Sequence, residues 1–328
     1  MRHPATAHPD PASKITPARE ARPASVAVAA VSYVIDTSAS QTRRWHGTLQ
    51  HARDAALVIV GCGGTGSFLA EAVCRLLIGR DADLFLVDLD RVEPHNVGRQ
   101  AFDPGDVGRF KAQVLAERLA QRFGRTIGYS VLPYDRDLHA CVFDTRARLN
   151  LVIGCVDNAA ARRAIGATLE QVYHHASPVW WLDCGNARNS GQVLLGNAVR
   201  REDLRGAFLP HLGQCSALPA PSLRRPDLLN APPEPTQSRA PLDCAQAIAT
   251  GEQGPTINQA VAAIAASFVE KLLTGVCRWE AAYFDLDEGT LRALPPDPRT
   301  VAALAGLHLN TIAPVPHPDR HVGPAHAA

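Results

Sequence analysis

The feature that most constrains how this chain folds is a glycine-rich turn, Gly61-Cys62-Gly63-Gly64-Thr65-Gly66, set directly behind the apolar run Leu57 to Val60. A run of that size reads as a buried parallel strand, and the turn as the opening of a helix through Ile78. Gly61, Gly63 and Gly66 let the backbone turn tightly, approach a ligand closely and pack helix against strand, while the free N–H groups at the helix start favour an anion. Asp88 comes 22 residues after Gly66, at the end of a second apolar run, Leu84 to Val87, where a carboxylate accepts hydrogen bonds from ribose hydroxyls. The pattern predicts nucleotide binding without saying which nucleotide. The alternative, glycines that only make a tight turn, must treat the agreement of turn, strand, helix and acid as coincidence.

Downstream the pattern stays regular. Lys111 to Phe123 carries apolar residues at Val114, Leu115, Leu119 and Phe123 with Gly124 as a stop, which reads as a helix. Thr126 to Val131, Leu151 to Gly154, Trp180 to Asp183 and Gln192 to Leu195 read as further strands, and Asp157-Asn158 leads into an alanine-rich helix. Alternating strands and helices predict an α/β fold: a doubly wound, Rossmann-like, mostly parallel sheet with helices on both faces. A helix from Gly254-Pro255-Thr256, with Ile257, Val261, Ile264, Phe268 and Leu272 on one face, and a hairpin around Asp287-Glu288-Gly289 add a C-terminal antiparallel extension.

The chain therefore divides into an N-terminal extension over 1–50, largely disordered, and a nucleotide-binding core over 51–204. A proline-rich crossover loop without periodicity comes next over 205–254, then a helix and hairpin completing the core over 255–296, and a tail over 297–328. The apolar residues 26–35 are too few to span a membrane, which takes ~20, and read as an added strand or docking segment. The start of the chain lacks the apolar region of a signal peptide. With 33 Lys+Arg against 32 Asp+Glu in 328 residues, no basic field points to nucleic acid as a partner. None of the eight cysteines stands three from another, so C-x-x-C spacing is absent; reduced thiols in a cytoplasm are expected, and no zinc. Cys62, Cys155, Cys184, Cys74 and Cys277 read as small apolar fillers.

Chemistry is chosen by the residues beyond the second strand: Asp88-Leu-Asp-Arg-Val, then Asn96-Val-Gly-Arg-Gln, then Gly108-Arg-Phe-Lys111, and after a later strand Gly154-Cys-Val-Asp157-Asn158. In this order the motifs resemble those of the ThiF and MoeB group of adenylating enzymes, the family that includes ubiquitin-activating enzymes, over residues 55–200 and again 255–290. The resemblance implies ATP-dependent adenylation of a carboxylate, the C-terminus of a ubiquitin-like or sulfur-carrier protein. Gly61, Gly63, Gly64, Gly66, Asp88, Asp90, Asn96, Arg99, Gln100, Lys111, Asp157 and Asn158 would then form the nucleotide site. The Gly-Arg-Gln form, Phe102 and the proline-rich insertion resemble the member carried by plasmid-borne PRTRC cassettes, which implies a conjugating-type protein and a metallopeptidase as further partners. A homodimer is among the assemblies the resemblance allows. Several relatives reach a partner's ATP site with an N-terminal arginine; Arg43-Arg44 match this poorly and read as a solvated basic pair.

The roles also come from the reaction itself. A carboxylate oxygen attacks the α-phosphorus while pyrophosphate departs, so the site must hold about four negative charges and more as the bond breaks. Arg99 suits the β- and γ-phosphates by a bidentate fork and Lys111 as a point charge. Asp157 suits Mg²⁺, a hard cation that takes carboxylate and phosphate oxygens, and Asn96 hydrogen-bonds phosphate or ribose. Each residue also has a plain reading: solvated charges at Arg99 and Lys111, a turn cap at Asn96, a helix cap at Asp157-Asn158. Passing the acyl group to a thiol would use Cys244, at the crossover position of thioester-forming relatives, or Cys215, with His211 nearby, or no cysteine at all. His211, Cys215 and Cys244 could otherwise form an irregular zinc site. Three other classes stay open: an NAD-dependent oxidoreductase on the same glycine turn, a binding-only scaffold for a ubiquitin-like protein, and a tRNA-modifying relative, against which the balanced charge argues.

Overall fold

Continuous apolar runs become central strands because both faces of each are covered: every residue of Ala55–Val60 and of Leu149–Gly154 is buried. The structure is a computed structural model and describes residues 53–143, 147–170, 178–209, 213–230 and 256–314, with the backbone of Ile35–Asp36. In chain order the strands are β1 (Ile35–Asp36), β2 (Ala55–Val60), β3 (Ala82–Val87), β4 (Gly128–Ser130), β5 (Leu149–Gly154), β6 (Val179–Asn186), β7 (Ser190–Gly196), β8 (Phe208–Leu209), β9 (Gln214–Cys215), β10 (Ala281–Asp285) and β11 (Thr290–Leu294). The helices are α1 (Gly64–Leu76), α2 (Lys111–Phe123), α3 (Arg136–Val142), α4 (Ala159–Leu169), α5 (Pro221–Arg224), α6 (Ile257–Thr274), α7 (Pro298–Ala305) and α8 (Leu309–Ile312).

The main sheet has the order β11-β10-β7-β6-β5-β2-β3-β4. From β4 to β6 all neighbours are parallel, and β7, β10 and β11 continue the sheet antiparallel. The chain runs outward from β2 to β3 and β4, then returns to place β5 on the other side of β2. Strand order therefore reverses between β2 and β5, and in such sheets ligands bind in the crevice beyond the carboxyl ends at that point. The Gly61 turn leaves β2 there, and Cys155 leaves β5 beside it.

Helices cover both faces. Adjacent residues of a strand point to opposite sides, and the fully buried Trp180 and Trp181 of β6 show it: Trp180 joins Leu69, Leu115 and Phe268 under α1, α2 and α6, while Trp181 joins Val58, Val152 and Ile165 under α4. Full burial of a large apolar side chain contributes about 1.5–3 kcal/mol. The helix ends obey their sequence signals: Gly124 and Gly275 adopt left-handed φ at the C-termini of α2 and α6.

Several segments depart from the sequence expectation. α1 ends at Leu76, leaving Ile78 exposed. α3, not foreseen, starts where the Asp135 carboxylate accepts from Leu138 N at 2.9 Å. The described part of the segment expected as a loop over 205–254 is folded: β8 and β9 pair, β9 also pairs with β1, and Ala207, Phe208, Cys215, Leu218 and Ala220 are buried. Its apolar residues come in runs of one to three broken by prolines and polar residues, too short to leave a period to read. The expected tail from 297 begins with α7 and α8, which bury Val301, Ala302, Ala305 and Ile312. Asp297 caps α7 by accepting from Thr300 N at 2.8 Å, and Gly306 ends it, so short helix signals were present in a stretch too brief for periodicity. Residues 1–34 and 231–255, with the extension, most of the 26–35 run and Cys244, lie outside the described residues. Among the described residues no helix is long and apolar enough to cross a membrane.

Candidate functional site

A cavity of about 1000 Å³ opens at the carboxyl ends of the strands, where the glycine turn meets the start of α4. At two positions the turn admits no side chain. Gly61 has φ +90° and a Cβ there would lie 2.6 Å from the Cys155 carbonyl oxygen; a Cβ on Gly66 would lie 1.8 Å from the Gly61 carbonyl oxygen. Gly66 thus packs helix on strand and does not line the cavity, whereas Gly61, Gly63 and Gly64 do. At α1 the N-cap residue, Gly63, offers no side-chain cap and the first turn holds no acid, so its N–H groups stay free for an anion.

Asp88 braces this turn from β3. Its Oδ2 accepts from Cys62 N at 2.6 Å and its Oδ1 from Asp90 N at 2.8 Å. Burial pushes its carboxyl above the ordinary aspartate range, opposed by those two N–H bonds and by Lys111. Both oxygens keep lone pairs for further donors, which is the geometry a ribose diol needs.

After β3 the chain makes two proline-started 3₁₀ turns, Pro94–Asn96 and Pro104–Asp106, each closed by a reciprocal cap. Asn96 Oδ1 accepts from Glu93 N at 2.9 Å, so the turn-cap role is realised while Asn96 also lines the cavity. Ser67 Oγ accepts from Ala101 N at 3.1 Å and Arg118 donates to the Ala101 carbonyl at 2.8 Å, fastening the segment to α1 and α2. Arg99 and Gln100 are thereby held in the wall, with Arg99 Nε and Gln100 Oε1 buried and without hydrogen-bond partners. Such an unmade bond costs about 1–3 kcal/mol, which a polar ligand in the cavity would offset. Lys111, buried at the first position of α2, puts its Nζ 3.0 Å from Asp90 Oδ2.

Beyond β5, Asn158 caps α4 by accepting from Ala161 N at 2.8 Å, and its Nδ2 reaches Asp157 Oδ1 at 3.3 Å. Asp157 is exposed on the cavity wall. Among the described residues no group of three or more His, Cys, Asp or Glu is placed to hold a metal. Mg²⁺ takes only one or two carboxylates when it also binds phosphates, so the Asp157 carboxylate fits one position of such a shell.

Of the residues expected in the site, one cavity gathers Gly61, Gly63, Gly64, Asp88, Asp90, Asn96, Arg99, Gln100, Lys111, Asp157 and Asn158. Gly66 stands behind it and Cys244 falls outside the described residues. Cys215 is fully buried in β9, its thiol pushed up by burial and donating to the Ala217 carbonyl at 3.0 Å. Cys155 and Cys184 line the cavity; a hydrogen bond with Cys184 and burial hold the Cys155 thiol well above its ordinary pKa, so it stays protonated.

Other lining residues went unread in the sequence. Arg162 of α4 donates from Nε to both oxygens of Asp183 at 3.1 and 3.2 Å, and burial, outweighing Arg162, pushes Asp183 up to about 6. The signal was a charged residue inside the apolar run Trp-Trp-Leu-Asp. Asn258 of α6 accepts from Thr65 Oγ1 at 3.4 Å and Asn186 Nδ2 at 3.1 Å, tying α6 to the glycine turn; a polar residue at the start of an apolar helix marked it. Leu89, Leu132 and Pro133 form an apolar rim beside Asp88.

Known proteins share the sequence pattern. A model described as ThiF family matches residues 39–291. Ubiquitin-like modifier-activating enzyme 5 of Drosophila grimshawi is 30% identical over 151 residues, 43% of this chain and 36% of that protein. The Dictyostelium discoideum protein of the same name is 31% identical over 162 residues, 44% of this chain and 39% of its own. The chain thus spans little more than a third of these relatives' length. Among solved structures, selenomethionine PaaA has a TM-score of 0.47 at 15% identity, covering 73% of this chain and 64% of its own. Escherichia coli MccB with ATP has a TM-score of 0.46 at 17% identity, covering 73% and 63%.

Proposed function

The chain belongs to the ThiF family, and from that premise we propose that it is an adenylyltransferase that joins a carboxylate, the C-terminus of a ubiquitin-like or sulfur-carrier protein, to AMP from ATP. The observation that carries this reading is the convergence of Asp88, Arg99, Lys111 and Asp157 on one cavity at the sheet's switch point. The curated relatives, named for activating a ubiquitin-like modifier, support the substrate class.

In this reading the ribose hydroxyls donate to Asp88, and the purine lies on the apolar rim of Leu89, Leu132 and Pro133. The triphosphate crosses the N-terminus of α1, where free N–H groups and the helix dipole meet it. Arg99 turns its guanidinium to the outer phosphates, which gives the buried Nε a partner, and Lys111 shifts from Asp90 toward phosphate. The substrate carboxylate oxygen forms a bond to the α-phosphorus as the bond from that phosphorus to the bridging oxygen breaks. The electron pair leaves with pyrophosphate, where Arg99 and Lys111 stabilise the developing charge. Asp157 would hold Mg²⁺, which when bound neutralises phosphate charge and polarises the α-phosphorus.

Of the two candidate thiols, the proposed acceptor for onward transfer is Cys244 and not Cys215, which is buried and engaged; adenylation with no cysteine step is the other form of this reading. The resemblance to the PRTRC-cassette member adds a conjugating-type protein and a metallopeptidase as proposed partners. The test is radiolabelled pyrophosphate-to-ATP exchange with ubiquitin-like proteins encoded nearby. Asp157→Ala should abolish exchange, and Cys244→Ala should spare it because the thiol acts after the adenylate forms. Exchange undiminished in Asp157→Ala would contradict the assigned site, and loss in Cys244→Ala would remove Cys244 from the acceptor role.

A further inference from the structure

The glycine turn is flanked on two sides. α2 packs against α1 on the side of β3 and β4, while α6 packs against it on the side of β6 and β7. Each flank brings one amide to the turn: Gln100 Nε2 lies 3.9 Å from where a Cβ on Gly63 would stand, and a Cβ on Gly64 would strike the amide of Asn258. Only a glycine at 64 leaves that amide its place. Asn258, at the second position of α6, is buried yet lines the cavity. Its place is fixed, since Oδ1 accepts from Thr65 Oγ1 at 3.4 Å and from Asn186 Nδ2 at 3.1 Å.

With the oxygen committed to those two donors, the nitrogen is the part of the amide left over. Nδ2 is the Asn258 atom nearest to the open Cβ position of Gly64, and it has no hydrogen-bond partner among the described residues. An amide nitrogen only donates, so what completes it is an acceptor in the cavity. The local field agrees: α6 starts without a side-chain cap at Thr256 and without an acid in its first turn, so its N-terminus adds to that of α1 at the same place.

Arg99 and Lys111, which take the outer phosphates in the adenylation reading, follow β3 and so stand on one flank of the turn. Attacking and leaving oxygens lie roughly in line at phosphorus, so the carboxylate oxygen enters from the opposite flank and the α-phosphorus sits over the turn between them. We propose that Asn258 is a further catalytic residue of this step, donating from Nδ2 to a non-bridging oxygen of the α-phosphoryl group. The proposal rests on the adenylation reading and adds to it the donor on the α6 flank. The bond that forms joins the carboxylate oxygen to the α-phosphorus, and the bond that breaks releases pyrophosphate with its electron pair. Asn258 transfers no proton; it meets the charge on the oxygens that stay on phosphorus. An aspartate of the same shape would put a negative oxygen there instead.

Two assays on the full chain test this, one of binding and one of rate. Calorimetry with the two diastereomers of ATPαS, in EDTA so that no metal tells them apart, replaces one non-bridging oxygen at a time with sulfur, a poorer acceptor. The wild-type protein should bind them with affinities about three- to fivefold apart, and Asn258→Ala should bring that ratio close to one. Pyrophosphate exchange with the ubiquitin-like proteins encoded nearby should fall about tenfold in kcat in Asn258→Ala, with KM for ATP raised only about two- to fivefold. Asn258→Asp keeps an oxygen for Thr65 and Asn186, so it should melt close to the wild type while losing at least as much rate. A diastereomer ratio or a kcat unmoved in Asn258→Ala overturns the proposal, as does full rate in Asn258→Asp, which would make the amide a structural tie alone. If the wild type binds neither ATP nor ATPαS, the adenylation reading falls instead.

Discussion

The two ends of the cavity are built by different means. At the glycine end, backbone is packed against backbone and the polar groups are fixed before any ligand arrives: Gly66 touches Gly61, Asp88 takes two loop N–H groups, and Arg99 keeps a buried donor unpaired. At the end over the antiparallel strands, the contacts are between side chains already matched to each other, Arg225 to Asp227 and Gln192, with Phe284 filling the space over Gly191. The first end is shaped for a group whose chemistry does not vary. The second is lined by side chains that can change without disturbing the turn.

Two glycines test that contrast with the largest expected effect. Gly66→Ala would place a Cβ 1.8 Å from a carbonyl oxygen that cannot move without breaking the turn, and should destabilise by about 4 kcal/mol or more with loss of nucleotide binding. Gly191→Ala meets the ring of Phe284 at 2.4 Å, a side chain and not backbone, and should cost about 1–3 kcal/mol. Urea unfolding of both variants checks the order; equal costs would erase the distinction.

Arg99→Ala comes next. Pyrophosphate exchange should fall about 10²–10³-fold, the usual range for removing one preorganised donor to developing charge. Thermal stability should hold or rise, because the unpaired buried Nε is removed with the side chain. A loss of stability comparable with the loss of rate would mean that Arg99 is structural.

Asp183 sits between the two ends and gives a pH signature. Its folded pKa is raised from 3.8 to about 6, so the folded chain binds the extra proton more readily than the unfolded one. Stability from this group is therefore present below the unfolded value and is lost as pH rises through the folded one, on the order of 2–3 kcal/mol between about pH 4 and 6. Denaturant midpoints across that window should fall with pH in the wild type and lose this component of the slope in Asp183→Asn. An unchanged slope would show that Arg162 already cancels the burial cost. The smallest effect is expected at Asn258→Ala, which removes the bonds to Thr65 and Asn186 and should weaken nucleotide binding about two- to fivefold by calorimetry.

Legibility in the sequence divides along the same line. The glycine turn, Asp88, the Asn96 to Lys111 segment and Asp157-Asn158 are local motifs, and strand and helix periods put each of them at the carboxyl end of a strand or the start of a helix, where one cavity gathers them. Arg162–Asp183, Asn258–Asn186 and Arg225–Gln192 are pairs joined over 21, 72 and 33 residues, and no local pattern names such a partner in advance. The 205–230 segment and α7 were missed for a related reason: each buries a few apolar residues against a core made elsewhere, so burial there comes from tertiary packing and leaves no periodicity.

The most direct test of the central claim is a crystal structure of the complex with α,β-methylene-ATP. The account expects the ribose on Asp88, the triphosphate across the start of α1 within hydrogen-bonding distance of Arg99 and Lys111, and the Asp157 carboxylate facing the phosphates. Phosphates bound instead at the Arg225–Gln192 end, or Arg99 and Lys111 turned away from the nucleotide, would contradict it.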